Sequence, residues 1–460
     1  MARGYFGGLR GQAAILHDTG QRRGNILWIV VDALRPDHLG MYGYDKPTTP
    51  FLDELAAQSF VFVNAYVNAP WTRSSTASML TGLYPSQHRT QSDRSKLPAD
   101  IRTVAQDLKR AGYRTAAVVG NGNAGSMGGL NRGFDYYIDT VTHWDGLPAA
   151  PDVYAEALTF LKQQQGSKTP WFLFLFLVDP HDPYHAPPEY EAQWLKGIAG
   201  EPRRRAHWEY NNKYPENERR SMIALYDASI RYTDDQTRLL FDQIKALGLY
   251  QNTTVVFSAD HGEAFGEHGY YLHAYHHTDE FVRVPLIIRS PAWQGSGLVY
   301  HLVQEVDLAP TLMGLAGRSP RLSHTGKDLT ALLQKPINLD RMAISEYNEF
   351  GIHRSAAFNL RYRVILQLPA EREVFLSRIP RPELLPSVSF EKEVVQVYDR
   401  PRDPHERANL APDRIPPQAA TMLQGLRAYM MAAPQPNQDL DPKKMPQAVI
   451  DDLKALGYVQ

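Results

Sequence analysis

The sequence predicts an α/β protein in which a mostly parallel central sheet is sandwiched by helices, with a smaller C-terminal α+β subdomain. Three observations lead there. Strand-length runs such as NILWIVV and WFLFLFLV are almost wholly apolar and each leads into an aspartate, as expected of strands buried on both faces. Helix-period segments closed by glycine alternate with those runs, the signature of strands joined by helical crossovers. Beyond about residue 335 the pattern changes to shorter β-like runs and a proline-rich tail.

In chain order, residues 1–24 form an N-terminal extension, and Asn25–Val31 is the first buried strand, ending at Asp32. Thr49 followed by Pro50 has the chemistry of a helix cap and first turn, with Asp53 and Glu54 near the positive helix end, so a helix is expected to about Gln58. Ile101, Val104, Ala105, Leu108 and Ala111 keep a helical period, Gly112 stops it, and residues 114–119 resume as a strand. A helix over 153–165 then leads to the strand WFLFLFLV, which ends at Asp179. Ile223, Tyr226, Ile230, Leu240 and Ile244 mark another helix, followed after Gly248 by a strand over 254–257 that ends just before Asp260. Residues 343–346, 362–368 and 393–398 read as strands of the C-terminal subdomain, which spans 336–460 beside a larger unit over 25–335. The polar stretch 198–220 reads as a solvated connection, or as a lid over a site.

The chain has 460 residues, 43% hydrophobic and 22% charged, an ordinary globular composition. Lys plus Arg total 49 against 50 Asp plus Glu, so the net charge of −1 gives no reason to expect a nucleic-acid partner. The longest apolar run, residues 171–178, falls far short of the roughly 18–20 residues a spanning helix needs. No membrane span is expected. The first 24 residues, with Arg3, Arg10, Arg22 and Arg23, hold no apolar stretch resembling a secretory signal; the compartment is cytoplasmic by default, or extracytoplasmic if a leader was removed. There is no cysteine, which excludes disulfides, thiolate metal sites, catalytic thiols and any cofactor made by oxidising a cysteine.

Open parallel sheets bind ligands at the carboxyl ends of their strands. Asp32, Asp179 to His181, and Asp260 with His261 all sit there, so three distant segments are expected to converge. Asp32 alone reads as readily as a turn cap. Asp260 and His261 together offer an oxygen and a nitrogen donor to one metal ion. Histidines crowd two segments, with His181 and His185 in DPHDPYH and His261, His268, His273, His276 and His277 downstream. His181, His261 and His273 are the candidates; the others read as surface or supporting residues. The stretch Trp71–Gly82, rich in hydroxyls, places a helix N-terminus beside Thr72, suited to an anionic oxygen, although capping by Ser or Thr is common. Spacing alone does not choose among its hydroxyls.

These segments resemble the sulfatase branch of the alkaline phosphatase superfamily. The resemblance runs from about Asn25 to Gly317 through NILWIVVDALRPDHLGMYGY, TPFLDELA, SMLTGLYPSQH, DPHDPY, SADHGEAFGEHG, RVPLIIRSP and VDLAPTLMGLAG, and more weakly to VYDRPRDPHERANLAP. It implies hydrolysis or transfer of sulfate, phosphate or phosphonate esters by a metal-bound nucleophile. Counting back from LTG, the nucleophile of the sulfatase motif, a Cys or Ser followed by x-Pro-Ser-Arg, falls on Thr72, with Ser74 and Thr76 replacing Pro and Arg. Sulfatases convert that residue to formylglycine, for which threonine is not a known precursor. Their Asp-Asp pair is Asp32 and Ala33, their expected Lys is Asn121, and their Asp-Asn pair is Asp260 and His261.

By this resemblance Asp32, Thr72, Asp260 and His261 hold one divalent cation. Fewer carboxylates and one imidazole shift the preference from calcium toward zinc or manganese. A second metal near His185, His268 or His276 stays open. Thr72 is the expected nucleophile, as in phosphoethanolamine transferases, lipoteichoic acid synthases and related phosphodiesterases, and His181 and His273 bind the anion or protonate the leaving group. Asn121, Asn123 and His185 are expected to bind the substrate, a small-molecule or lipid or glycan ester. A sulfatase lacking formylglycine is the second reading, and a binding protein on a decayed enzyme fold the third.

Overall fold

In the computed structural model, which describes residues 17–20, 23–139, 150–206, 214–378 and 388–434, the first apolar run forms strand β1 (Asn25–Val31), with every residue buried. The remaining elements of the first sheet follow in order: α1 (Pro50–Ala56), β2 (Phe60–Tyr66), α2 (Thr72–Thr81), α3 (Val104–Arg110), β3 (Arg114–Val119), β4 (Tyr136–Asp139), α4 (Ala150–Lys162), β5 (Trp171–Leu177), α5 (Glu216–Ala246), β6 (Thr253–Ala259), β7 (Leu286–Arg289), β8 (Gly297–Gln304) and α6 (Leu308–Leu315). The eight strands are ordered β8-β2-β7-β6-β1-β5-β3-β4. β7 runs antiparallel to both neighbours, and the other pairings are parallel. The α/β architecture expected from the sequence is thus present.

The register of the central strands fixes where the next residues emerge. Val31 pairs with Leu177 on one side and Ala259 on the other, while Val119 pairs with Phe176. Asp32 N–H still donates to the Leu177 carbonyl at 2.9 Å and Gly120 N–H to that of Phe176 at 2.9 Å. The chain therefore leaves β6, β1, β5 and β3 in one row, at the carboxyl edge of the sheet.

Beyond this sheet, β9 (Ala343–Glu349), β10 (Ile352–Phe358), β11 (Tyr362–Gln367) and β12 (Val394–Asp399) form a four-stranded antiparallel meander. Helix α7 (Pro417–Ala432) lays Ala419, Met422 and Leu426 against Ala357, Val364, Leu366 and Val397 of that meander. The spacing of three and then four residues is that of one helical face.

Several sequence expectations need correction. Strands β2, β4, β7, β8 and β10 are not legible in the sequence, and α7 occupies part of what reads as a proline-rich tail. The helix expected over 153–165 starts and ends three residues earlier. Thr49 does not cap α1 through its hydroxyl: it donates to Asp53 Oδ1 at 3.1 Å and accepts from Gly40 N–H at 3.0 Å. In the polar stretch 198–220, Arg204 and Arg205 pair with Glu191 and Asp182, and residues 216–220 open α5. Residues 207–213 of that stretch lie outside the described residues, as do residues 1–16, 21 and 22 of the 1–24 extension.

Glu346 of β9 stitches the two sheets' surroundings to α7. Its Oε1 accepts from Tyr429 O–H at 2.6 Å and Ser86 O–H at 3.2 Å, and its Oε2 from Ser86 N–H at 3.0 Å. Burial pushes its carboxyl up from 4.5 to about 7. Between those values the folded chain keeps a proton that the unfolded chain has released, so this group's contribution to stability falls as pH rises through the window. Glu346→Gln cannot ionise and loses the bond from Ser86 N–H. Urea unfolding at pH 5 and pH 7.5 should show a pH-dependent loss that is larger in the wild type than in the variant, by up to about 3 kcal/mol.

Candidate metal and catalytic site

Asp32 follows β1, and Asp260 and His261 follow β6, its parallel neighbour. All three are buried completely. A carboxylate oxygen from each aspartate and a ring nitrogen of His261 lie within 4.8 Å of one another. His261 Nε2 sits 3.4 Å from Asp32 Oδ1 and 3.4 Å from Asp260 Oδ2, while its Nδ1 meets the Gly262 carbonyl at 2.9 Å. That carbonyl holds the ring so that Nε2 faces the carboxylates, as for a histidine ligand fixed by its other nitrogen.

The turn after β1 is shaped to serve this cluster. Ala33 adopts φ of 55°, an unusual left-handed conformation for a residue with a Cβ. Its N–H donates to Asp260 Oδ1 at 3.2 Å, its carbonyl accepts from Tyr226 O–H at 2.7 Å, and the Tyr226 oxygen accepts from Arg35 N–H at 2.9 Å. Helix α5 therefore clamps the turn from behind.

Two acids buried side by side resist ionisation. Burial, then the nearby Asp260 charge, push the Asp32 carboxyl well up, and burial raises Asp260 as well. Asp32 Oδ1 and Asp260 Oδ2 have no hydrogen-bond donor. Paired hard oxygens, an imidazole nitrogen and two orphaned acceptors form a donor set that fits a divalent cation. Among the described residues this is the one group of three or more acidic or histidine side chains whose donor atoms converge this way.

Thr72 opens α2, and every residue of that helix is buried. Its Oγ1 lies 3.2 Å from His261 Nε2, and its hydroxyl also bonds Asp260. Gly82 ends the helix at φ of 68°, where an added Cβ would meet His324 at 3.0 Å. The N-terminal end of α2 thus points its partial positive charge at the cluster.

Three imidazoles line the same region. The His261 and His273 rings stack at 4.2 Å between centroids, and His181 meets His273 edge-on at 4.9 Å. His181 Nδ1 faces the Asp182 carbonyl. Burial pushes all three down from the usual imidazole range, His273 to about 3. Asn121 Nδ2 donates to Asp32 Oδ2 at 2.6 Å. Its Oδ1 accepts from Asn123 N–H at 2.8 Å, and Asn123 Oδ1 accepts from Arg73 at 2.8 Å. Asn123 Nδ2, buried with its residue only 1% exposed, has no acceptor.

The geometry thus brings together Asp32, Thr72, Asp260, His261, His181, His273, Asn121 and Asn123. It does not bring in His185, whose half-exposed ring pairs with Glu191 at 3.2 Å. His268 faces Glu280 at 3.6 Å and His276 meets Gln396 at 3.0 Å, so neither joins a second metal cluster among the described residues. Sequence reasoning passed over Arg73, whose guanidinium is anchored on the Asp93 carbonyl and orients Asn123, and Glu263, which meets His273 Nδ1 at 3.2 Å. Its place in the DHGE turn, three residues after Asp260, was the available signal.

Comparison with known proteins shows the family and the fold. An ulvan-active sulfatase of Formosa agariphila is 30% identical over 345 residues, covering 68% of this chain and 65% of its own length. An uncharacterized sulfatase of Escherichia coli is 24% identical over 437 residues, 85% of this chain and 84% of its own. The fold of the phosphonate monoester hydrolase of Agrobacterium radiobacter superposes with a TM-score of 0.69 at 18% identity, covering 89% of this chain and 95% of that one. The sequence profile of the sulfatase family matches residues 24–318, which contain every residue of the cluster, and the chain belongs to that family within the alkaline phosphatase superfamily.

Proposed function

We propose that the chain is a metal-dependent hydrolase or transferase of phosphate or phosphonate esters, diesters foremost, acting through a covalent intermediate on Thr72. The observation that carries this reading is the Thr72 hydroxyl, 3.2 Å from His261 Nε2 at a position where sulfatases need formylglycine. Asp32, Asp260 and His261 would hold the cation, with Thr72 Oγ1 beside it, and the two carboxylates with one imidazole favour zinc or manganese over calcium. When bound, such an ion supplies a Lewis acid that lowers the pKa of a neighbouring hydroxyl and offsets charge on the phosphoryl oxygens.

The chain's own groups do the rest. Thr72 Oγ1 passes its proton to the Asp260 carboxylate it bonds and attacks phosphorus in line with the leaving oxygen, the P–O bond to the leaving group breaks, and Thr72 carries the phosphoryl group. The N-terminal end of α2 stabilises its negative oxygens. His181 and His273 bind those oxygens or give a proton to the departing alkoxide. Asn121 is already committed to Asp32, so Asn123 Nδ2 is the amide donor left to serve the substrate. Water, or an acceptor alcohol, then releases the phosphoryl group from Thr72.

A second reading, hydrolysis of a sulfuric ester, is favoured by the sulfatase names of the curated relatives. Turnover of 4-nitrophenyl esters separates the two: the purified chain should prefer an aryl phosphodiester to the aryl sulfate, and the reverse preference sinks the phosphoryl reading. Thr72→Ala should lower kcat about a thousandfold or more while keeping stoichiometric metal; near wild-type turnover removes Thr72 as nucleophile. Asp260→Ala should lose the metal by elemental analysis, and a variant still holding one ion per chain takes Asp260 out of the ligand set. Asn121→Ala should weaken metal affinity roughly 10–100-fold through Asp32. Asn123→Ala should keep the metal and lower kcat/KM by about tenfold or more; loss of metal in both variants contradicts the division of labour between them.

A further inference from the structure

The hairpin at the end of β9 brings a buried carboxyl to the loop that anchors Arg73. Strands β9 and β10 are joined by two residues: Glu349 pairs with Ile352, and Phe350 and Gly351 between them have φ of 53° and 73°. Two positive φ values in succession mark the two-residue connection whose twist matches that of its strands. A Cβ on Gly351 would lie 2.8 Å from the Glu371 carbonyl, so the turn is also pinned from outside. Glu349, the last residue of β9, is buried and held in one place by this hairpin.

From there the side chain reaches Asp93. Its Oε1 accepts from Asp93 N–H at 2.7 Å, and its carboxyl also bonds that of Asp93. Burial, then the Asp93 charge, push the Glu349 carboxyl well up, and a hydrogen bond between two carboxyls needs a proton on one of them. The Asp93 carbonyl accepts from Arg73 Nη1, and Arg73 Nη2 donates to Asn123 Oδ1 at 2.8 Å. The loop keeps its own shape: Ser95 N–H donates to the Ser92 carbonyl at 3.0 Å, and Ser92 N–H to Ser95 Oγ at 3.1 Å. Arg73 is fully buried, and its planar fork turns only with the acceptors that hold it. Asn123 Nδ2, the amide donor proposed for the substrate, is thus set by a chain of bonds that starts in the second sheet.

We infer that Glu349 is a positioning residue that, through Asp93 and Arg73, aims the Asn123 amide at the substrate. The inference rests on the reading in which Asn123 Nδ2 serves the substrate and extends it to a residue of the second sheet. Glu349 makes and breaks no covalent bond in this role. What it sets is the direction of one hydrogen bond, and a donor turned off its line gives up much of its stabilisation.

A double-mutant cycle tests it, run on whichever 4-nitrophenyl ester, phosphodiester or sulfate, the chain turns over. Glu349→Ala should lower kcat/KM by about 3–10-fold with metal content unchanged, because the Asp93 carbonyl and the Arg73 fork lose their anchor. Glu349→Gln should stay within about twofold of wild type: its Oε1 still accepts from Asp93 N–H, and its Nε2 donates to the Asp93 carboxylate. In the Asn123→Ala background, where no amide is left to aim, Glu349→Ala should change kcat/KM by less than about twofold. Equal losses in both backgrounds overturn the inference, as does Glu349→Gln falling as far as Glu349→Ala, since either result makes Glu349 a support of the fold alone. An Asn123→Ala variant with wild-type kcat/KM overturns it too. Should Glu349→Ala fail to fold, Glu349→Asp, shorter by one methylene, takes its place in the cycle with the same expected pattern. Preference for the sulfate ester sinks the phosphoryl reading, and the cycle is then decided on that ester.

Discussion

Asp32 and Asp260 face each other in a fully buried place, and the rest of the site is organised around that repulsion. Bringing two carboxylates out of water costs several kcal/mol for each ionised group, and like charges add to the cost. Here the cost is imposed by topology: β1 and β6 are parallel neighbours in register, so the residues that leave their ends must lie side by side. Asn121, the Ala33 N–H and the Thr72 hydroxyl each give one hydrogen bond to these acids, and none of them brings a positive charge. A divalent cation would supply the missing charge at the point where the orphaned oxygens converge. The buried site would also keep water from screening its effect on a neighbouring hydroxyl.

The same packing explains why a threonine is plausible chemistry at position 72. Its hydroxyl is weak alone, but the helix end behind it, the imidazole nitrogen at 3.2 Å and the acid pair beside it form a preorganised environment. Arg73, the next residue, is turned away from this pocket onto the Asp93 carbonyl and Asn123. Arg73, the cation next to the proposed nucleophile, therefore shapes the pocket by aiming an amide and brings no positive charge to the acid pair.

How much of this was legible in the sequence depends on the kind of signal each residue carries. Strands β1, β5 and β6 announce themselves because both faces are buried and their central positions are apolar in unbroken runs. Their ends gave Asp32 and Asp260 directly, and the resemblance to sulfatases selected Thr72 among several hydroxyls. Strand β10 was hidden, since IHRSAAF mixes His353 and Arg354 into its run; Arg354 is buried because it bonds the Tyr275 carbonyl and Gln367. His185 sits in the right motif and points elsewhere, because Glu191, six residues on, captures it. Glu263 was missed for the opposite reason: a glutamate near a metal turn reads as surface charge until a tyrosine and a histidine are seen on its two oxygens.

The C-terminal meander has a part in the site that its distance along the chain conceals. Arg354 of β10 and Arg363 of β11 donate to the carbonyls of Tyr275 and His277, the latter at 2.6 Å, while Ala274 N–H bonds the Pro70 carbonyl at 2.9 Å. The loop that carries His273 is thereby held between the segment leading into Thr72 and the second sheet. Arg363 also pairs with Asp279 and Glu406, and Glu406 lies in the DPHERANL segment near the end of the described chain, where its Oε2 accepts from Asp279 N–H at 3.1 Å. A charge network buried this deeply gains little net stability over apolar packing, because desolvation offsets most of the attraction. What it provides is direction: each arginine fork admits one arrangement of its acceptors, so the loop has one seat. The second sheet thus acts on the chemistry through the backbone of residues 274–279, without a side chain of its own at the metal cluster.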